Sequence, residues 1–194
     1  MLIYRSLQNK YKTIETGEAF LQIRPSTVIG VGGHSTGNGV FTIKKIPDST
    51  WITSYAPLAP MRTGRHHPPS DYILKTTRNG KEVEVDGSLC PLGIGQIVQD
   101  GSFPFCLAQE KYSSLMKSRV NCEIGDRDGE IWLKTTRTID PGEELLTRYS
   151  HDNSYWSLQF LSHHLQAIRN ALLGASGSSL LEAETVIRSI NLGN

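Results

Sequence analysis

Apolar residues come in short alternating bursts up to about residue 150 and at helical spacing only beyond it. The runs Leu2-Ile3-Tyr4 and Ala19-Phe20-Leu21-Gln22-Ile23, closed by polar residues or proline, predict short strands within residues 1–27. Val40 to Tyr55 alternates well enough for two strands about a turn at Pro47-Asp48-Ser49. Tyr72-Ile73-Leu74-Lys75, the turn signal Asn79-Gly80 and Glu82-Val83-Glu84-Val85-Asp86 read as a hairpin. Cys122-Glu123-Ile124 and Glu130-Ile131-Trp132-Leu133-Lys134 read as a further pair, joined by Gly125-Asp126-Arg127-Asp128-Gly129. In residues 56–71, between Tyr55 and Tyr72, Pro57, Pro60, Pro68 and Pro69 remove ladder donors and predict an irregular stretch. Ser102 to Val120 spaces its apolar residues unevenly around a short helix. Beyond Tyr149, Leu158, Leu161, Leu165, Ile168 and Leu172 recur at steps of three and four, so they share one helix face. The breaker Gly174-Ala175-Ser176-Gly177-Ser178-Ser179 separates them from a second pattern, Leu181, Val186, Ile187 and Ile190. Many short strands followed by a helical hairpin over residues 157–194 predict an α+β fold of antiparallel strands, not a doubly wound parallel sheet.

Composition narrows the function classes. The 194 residues are 38% hydrophobic and 20% charged, ordinary for a globular domain and far from disorder. Twenty Lys+Arg balance nineteen Asp+Glu, which argues against a chain built to bind nucleic acid directly. The longest apolar run, Phe103 to Ala108, is far too short to cross a membrane, and the first residues lack the order of a secretory signal. An intracellular, soluble protein is the expectation. Cys90, Cys106 and Cys122 are too far apart for a zinc knuckle, so they are expected to be reduced and mostly buried, with no metal site.

The segment from Val28 to Phe41 holds glycines at 30, 32, 33, 37 and 39. Gly32-x4-Gly37 begins like a phosphate loop, but Asn38 and Gly39 stand where Lys and Ser/Thr would be needed. A dinucleotide fingerprint also fails, because this loop leads into a strand instead of opening a helix. Taken alone, Gly37-Asn38-Gly39 is a tight turn. The pairs His66-His67 and His163-His164 lack a third ligand at metal spacing and read as solvated surface. No Gly-x-Ser-x-Gly elbow supports a hydrolase.

More informative is Ile139-Asp140-Pro141-Gly142-Glu143-Glu144-Leu145-Leu146-Thr147-Arg148-Tyr149, a turn followed by an acidic pair that opens an extended or helical segment. Together with Gly37-x-Gly39-Val40-Phe41 and Ile43-x-x-Ile46-x4-Trp51-Ile52-x-x-Tyr55 upstream, it resembles the SET-domain family of S-adenosylmethionine-dependent protein lysine methyltransferases. The resemblance covers residues 28–156, with 102–120 as an insertion. It implies a SET-like fold in which the Gly-Glu-Glu-Leu-x-x-x-Tyr segment threads a knot-like core. It further implies Tyr149 as the active-site tyrosine and Gly37, Asn38 and Gly39 as backbone beside the cofactor. Where the family carries Arg-Phe-x-Asn-His-Ser, this chain has Gly95-Gln96-Ile97-Val98-Gln99-Asp100-Gly101, which aligns Gln99 with the Asn and Asp100 with the His and implies both as cofactor contacts. No cysteine follows Tyr149, so Tyr155 and Trp156 would cover the adenine in place of a zinc-bound segment, and Tyr55 and Tyr72 would line the lysine channel. The implied partner is a protein presenting a lysine, for example a histone or ribosomal protein. The departure at Gln99-Asp100 motivates a second reading, a SET-fold interaction module without catalysis.

Overall fold

In a computed structural model of the chain, which describes residues 20–55, 73–78, 80–86, 94–149, 162–176 and 179–190, short strands build small sheets around one core. The expectations for Leu2-Ile3-Tyr4, Tyr72, Tyr155 and Trp156 lie outside the described residues. Strand β1 (Leu21–Pro25) pairs antiparallel with β2 (Asn38–Thr42), Ile23 opposite Val40. Strand β3 (Trp51–Ser54) belongs to a different sheet. Strands β4 (Ile73–Arg78) and β5 (Lys81–Asp86) form the expected hairpin. A two-residue strand β6 (Gln99–Asp100) follows, then β7 (Cys122–Arg127) and β8 (Glu130–Thr135), with β8 lying between β3 and β7. The last strand, β9 (Leu146–Thr147), runs parallel to β6.

Two corrections follow from these pairings. The strands predicted in Val40–Tyr55 exist as β2 and β3, but they do not pair with each other. Later parts of the chain take their edges: Ile46 and Ile139 exchange both backbone hydrogen bonds at 2.9 Å. Thr135 Oγ1 donates to the Pro47 carbonyl at 2.8 Å and accepts the Thr50 N–H at 2.8 Å, so the turn is held by β8 instead of closing a hairpin. Asn38 and Gly39, read alone as a tight turn, are the first residues of β2, and only Gly37 has a left-handed backbone, φ +99°.

On β8 the alternation is regular. Ile131, Leu133 and Thr135 face inward, while Glu130, Trp132 and Lys134 are half-exposed. The inward residues join Leu21, Val40, Ile52, Tyr55, Ile94, Val98, Ile139 and Leu145 in the main core. A second core is helical. Helix α1 (Gln109–Arg119) fills the segment expected to be an insertion, and it packs Tyr112 and Met116, with Phe103, Phe105 and Ala108, against Ile168 and Leu172 of α2 (Ser162–Gly174). Helix α3 (Leu180–Ser189) adds Ala183 and Ile187 to this core. The Tyr112 hydroxyl donates to the Leu172 carbonyl at 2.9 Å, so burying this ring leaves no unmet donor. Leu181, expected on the buried face, is 75% exposed. It lies two residues from Ala183, about 200° around the helix, so the face that buries Ala183 and Ile187 turns Leu181 to solvent. Among the described residues no helix is long and apolar enough to cross a membrane.

Asn121 ties the start of β7 to the segment that enters β9. It is buried. Its side-chain amide donates to the Glu144 carbonyl at 2.8 Å and its Oδ1 accepts the Leu146 N–H at 2.8 Å, while its own N–H donates to the Leu146 carbonyl at 2.9 Å. Asn121→Ala strands two buried backbone groups, and a loss of about 2 kcal/mol in denaturant unfolding is expected. An unchanged unfolding midpoint would show that Asn121 does not hold this segment.

Cys106 and Cys122 are buried and in no disulfide, as expected, and Cys90 lies outside the described residues. Burial pushes the Cys106 thiol up to about 12, with the Asp100 carboxylate adding to the effect. Burial likewise pushes Cys122 up to about 12. A thiol raised this far stabilises the fold below the ordinary value near ~8.5 and loses that contribution as pH rises towards the folded value. At pH 8, neither should react with a maleimide in the native protein, and both should react after denaturation. Peptide mapping reads each thiol separately, and fast native labelling of either would contradict its burial.

Candidate functional site

The site is built where β9 pairs with β6. Gly142 and Glu143 hydrogen-bond to Thr42, and the Leu145 N–H donates to the Val40 carbonyl at 2.7 Å, so residues 142–145 cover the free edge of β2. The chain then leaves that edge. Residues 146–147 pair with 99–100, and the Gly101 N–H donates to the Thr147 carbonyl at 2.9 Å. This places Tyr149 beside the end of β6. Its hydroxyl donates to the Val98 carbonyl at 2.8 Å, and its N–H lies 3.4 Å from Asp100 Oδ2. The ring is half-buried.

Successive residues of a strand face opposite ways, and Gln99 and Asp100 divide accordingly. Gln99 turns to the glycine-rich loop: its amide nitrogen donates to the Asn38 carbonyl at 2.7 Å and to the Thr36 carbonyl at 3.3 Å. These two acceptors fix the amide orientation and leave Oε1 with no donor among the described residues. Asp100 turns away and is buried. Its Oδ1 accepts from the Ser102 N–H at 2.8 Å and from the Ser102 hydroxyl at 2.6 Å. Gln99 thus joins Asn38, whereas Asp100 joins Ser102 and the backbone of Tyr149.

The acidic pair also divides. Glu143 faces outward and meets Arg137 at 2.8 Å. Burial alone would raise its carboxyl. The Arg137 hydrogen bond, the Asp140 N–H and the Arg137 charge outweigh that and hold it below its ordinary value. Its contribution to stability is therefore present above the ordinary carboxylate range and lost as pH falls through the lowered one. Glu144 faces inward, with Oε1 accepting from the Ser26 hydroxyl at 2.6 Å and Oε2 accepting from the Thr27 N–H at 2.8 Å and the Thr27 hydroxyl. The carboxylate fills the space in front of Gly39, where a Cβ would lie 1.9 Å from Oε1 and 2.7 Å from Cδ. Glycine at position 39 is thus demanded by Glu144.

Tyr55 ends β3. It is 9% exposed and shares the main core with Ile94 and Val98. A Cβ on Gly95 would lie 2.9 Å from Tyr55 Cα, so the bare glycine lets the turn Gly95–Ile97 pack directly on the end of β3. That turn leads to Val98, whose carbonyl receives the Tyr149 hydroxyl. The residues that sequence reasoning did not assign are the carbonyls of Val98 and Thr36, with Ser102, Ser26, Thr27 and the Glu144 side chain. The backbone groups have no sequence signal. Glu144 did have one, because of two adjacent carboxylates in an extended segment, one must face inward and find donors.

The chain can be compared with known proteins on this geometry. No curated protein matches it. Its fold is similar to the methyltransferase domain of human PR domain-containing protein 2, at 19% identity and a TM-score of 0.44 over 69% of this chain and 79% of that one. It is also similar to CpSET8 from Cryptosporidium, at 15% identity and a TM-score of 0.45 over 69% of this chain and 58% of that one. The SET domain model matches residues 37–150, from the left-handed Gly37 through the Tyr149 that meets Val98. That match spans more than half of the 194 residues, and the chain belongs to the SET-domain family.

Proposed function

We propose that the chain is a protein lysine N-methyltransferase with S-adenosylmethionine as donor. The observation that carries this reading is the Tyr149 hydroxyl, whose hydrogen is committed to the Val98 carbonyl. A hydroxyl that has donated keeps two lone pairs as acceptors, the polarity needed to align the N–H groups of an incoming amine. The polar atoms that follow Val98 in the chain and those at the start of β2 suit a cation. The Thr36 and Asn38 carbonyls and Gln99 Oε1 are all acceptors, which fits the ammonium at the methionine end of the cofactor. When bound, S-adenosylmethionine supplies the methyl group on a positively charged sulfur.

Gly37, Asn38, Gly39 and Gln99 would hold that end, and Asp100 would act from behind, through Ser102 and the Tyr149 N–H. Tyr155 and Trp156 would cover the adenine, and Tyr55 and Tyr72 would line the lysine channel. Lysine titrates near ~10.4 in water and must be neutral to react, so the walls of the channel act by desolvation. Holding the partners near ~3–3.5 Å supplies much of the acceleration without a covalent intermediate. The substrate is a protein presenting a lysine, of which histones and ribosomal proteins are candidates.

One observation favours a second reading, a SET fold that binds a protein partner without catalysis. The Gln99 amide nitrogen is occupied by the chain's own carbonyls, and the Asp100 carboxylate by Ser102. Calorimetry with S-adenosylmethionine separates the two. Saturable heat at one site per chain is expected for the methyltransferase, and no heat would favour the module.

A further inference from the structure

The loop over residues 28–37 is held firmly at its base. Gln99 takes the Thr36 carbonyl, Glu144 takes Ser26 and Thr27, and the Thr36 hydroxyl donates to the Val28 carbonyl at 2.9 Å. Its tip is the 3-10 turn Val31–Gly33, where Gly32 and Gly33 both adopt left-handed backbone, φ +74° and +77°. Two such glycines carry large conformational freedom. Within the turn the Gly33 N–H donates to the Gly30 carbonyl at 3.1 Å and the Gly30 N–H to the His34 carbonyl at 2.9 Å, and the end of α3 backs the tip from outside. A Cβ on Gly33 would lie 3.5 Å from Arg188 Cγ and 3.7 Å from Nη1, and one on Gly32 would lie 3.8 Å from the Ile190 carbonyl. The Arg188 guanidinium makes no hydrogen bond or ion pair among the described residues, so the side chain meets the turn by packing, through its aliphatic stem and Nη1. Helix α3 is itself fixed, by Ala183 and Ile187 in the helical core and by Ser179, whose hydroxyl accepts the Glu182 N–H.

We propose that Arg188 is a positioning residue for the cofactor loop: its stem holds the tip of residues 28–37 and thereby sets cofactor affinity from outside the SET-matched segment. The proposal rests on the reading of this loop as cofactor-binding. Apparent affinity scales with the fraction of molecules whose site is in its binding shape, so releasing the tip weakens binding without removing any contact to the ligand.

The test compares Arg188→Ala, which removes the stem, with Arg188→Met, which keeps it without the charge, both in the full chain. Arg169→Ala is the control; it breaks the exposed ion pair between α2 and Glu110 of α1 and does not touch the loop. Two readouts are used: calorimetric affinity for S-adenosylhomocysteine and amide hydrogen exchange over residues 28–37. Arg188→Ala is expected to weaken affinity by about threefold to tenfold and to speed exchange in the loop, with Arg188→Met and Arg169→Ala close to wild type in both. Wild-type affinity in Arg188→Ala would overturn the proposal, and so would a Met variant as weak as the Ala variant, which would assign the effect to charge. If the wild-type protein binds no S-adenosylhomocysteine, the functional reading fails, and the exchange readout still decides the brace: unchanged exchange in Arg188→Ala overturns it.

Discussion

Tyr149→Phe should cut methyl transfer by on the order of 10²–10³-fold while leaving cofactor affinity within about twofold of wild type. The substitution removes one oxygen and keeps the ring. The Val98 carbonyl loses its 2.8 Å donor, a stability cost of about 1 kcal/mol that leaves the pairing of β9 with β6 intact. On the proposed reading, what disappears is the acceptor that would align the amine chiefly in the transition state, so turnover should fall and binding should not. Turnover and calorimetric affinity measured on one preparation separate this from a folding defect. Parallel losses in both would make Tyr149 a structural residue only.

Gly39→Ala should destabilise the fold by roughly 3 kcal/mol. The new methyl would lie 1.9 Å from Glu144 Oε1, and the carboxylate is not a loose chain end that can swing aside, because Ser26 and Thr27 hold both of its oxygens. Overpacking of this kind costs about 1–3 kcal/mol, and displacing a charged acceptor from its donors adds about 1.5–3 kcal/mol. Because the two residues share one space, Glu144→Ala should relieve most of the Gly39→Ala clash, and the double variant should be markedly more stable than additivity allows. Urea unfolding of the four proteins measures this. Gly39→Ala within about 0.5 kcal/mol of wild type would show that Glu144 does not stand where the geometry puts it.

The elements that depend on local pattern could be read from the sequence. The β4–β5 hairpin, the β7–β8 pair and the two C-terminal helices follow from alternation, Asn79-Gly80 and the three-and-four spacing, all of which act over a few residues. Partner choice could not be read in the same way. That β2 joins β1 and residues 142–145, and that β3 joins β8, is decided by long-range burial of Val40, Ile46, Ile139 and Leu145, and no local turn encodes it. The α1 segment was visible only as unevenly spaced apolar residues because its partners, Ile168, Leu172 and Ile187, lie more than fifty residues away.

At the site, the Gly-Glu-Glu-Leu-x-x-x-Tyr ending carried the family, while the structure joins Gln99 to Asn38, Tyr149 to Val98 and Glu144 to the space in front of Gly39. The direction of each side chain was not encoded in any motif. Gln99 and Asp100 differ in facing because they are neighbours on a strand, and Glu143 and Glu144 differ for the same reason. The Val98 and Thr36 carbonyls belong to the backbone, so no residue identity could have marked them.

The most direct measurement is transfer of labelled methyl from S-adenosylmethionine to a panel of lysine-bearing peptides and proteins, read by mass spectrometry, with Tyr149→Phe alongside wild type. A mass gain on lysine is expected with the wild-type chain and almost none with Tyr149→Phe, with cofactor binding by both. Saturable cofactor binding together with equal transfer by both proteins would contradict the assignment of Tyr149. Absence of cofactor binding by the wild-type chain would contradict the methyltransferase reading itself.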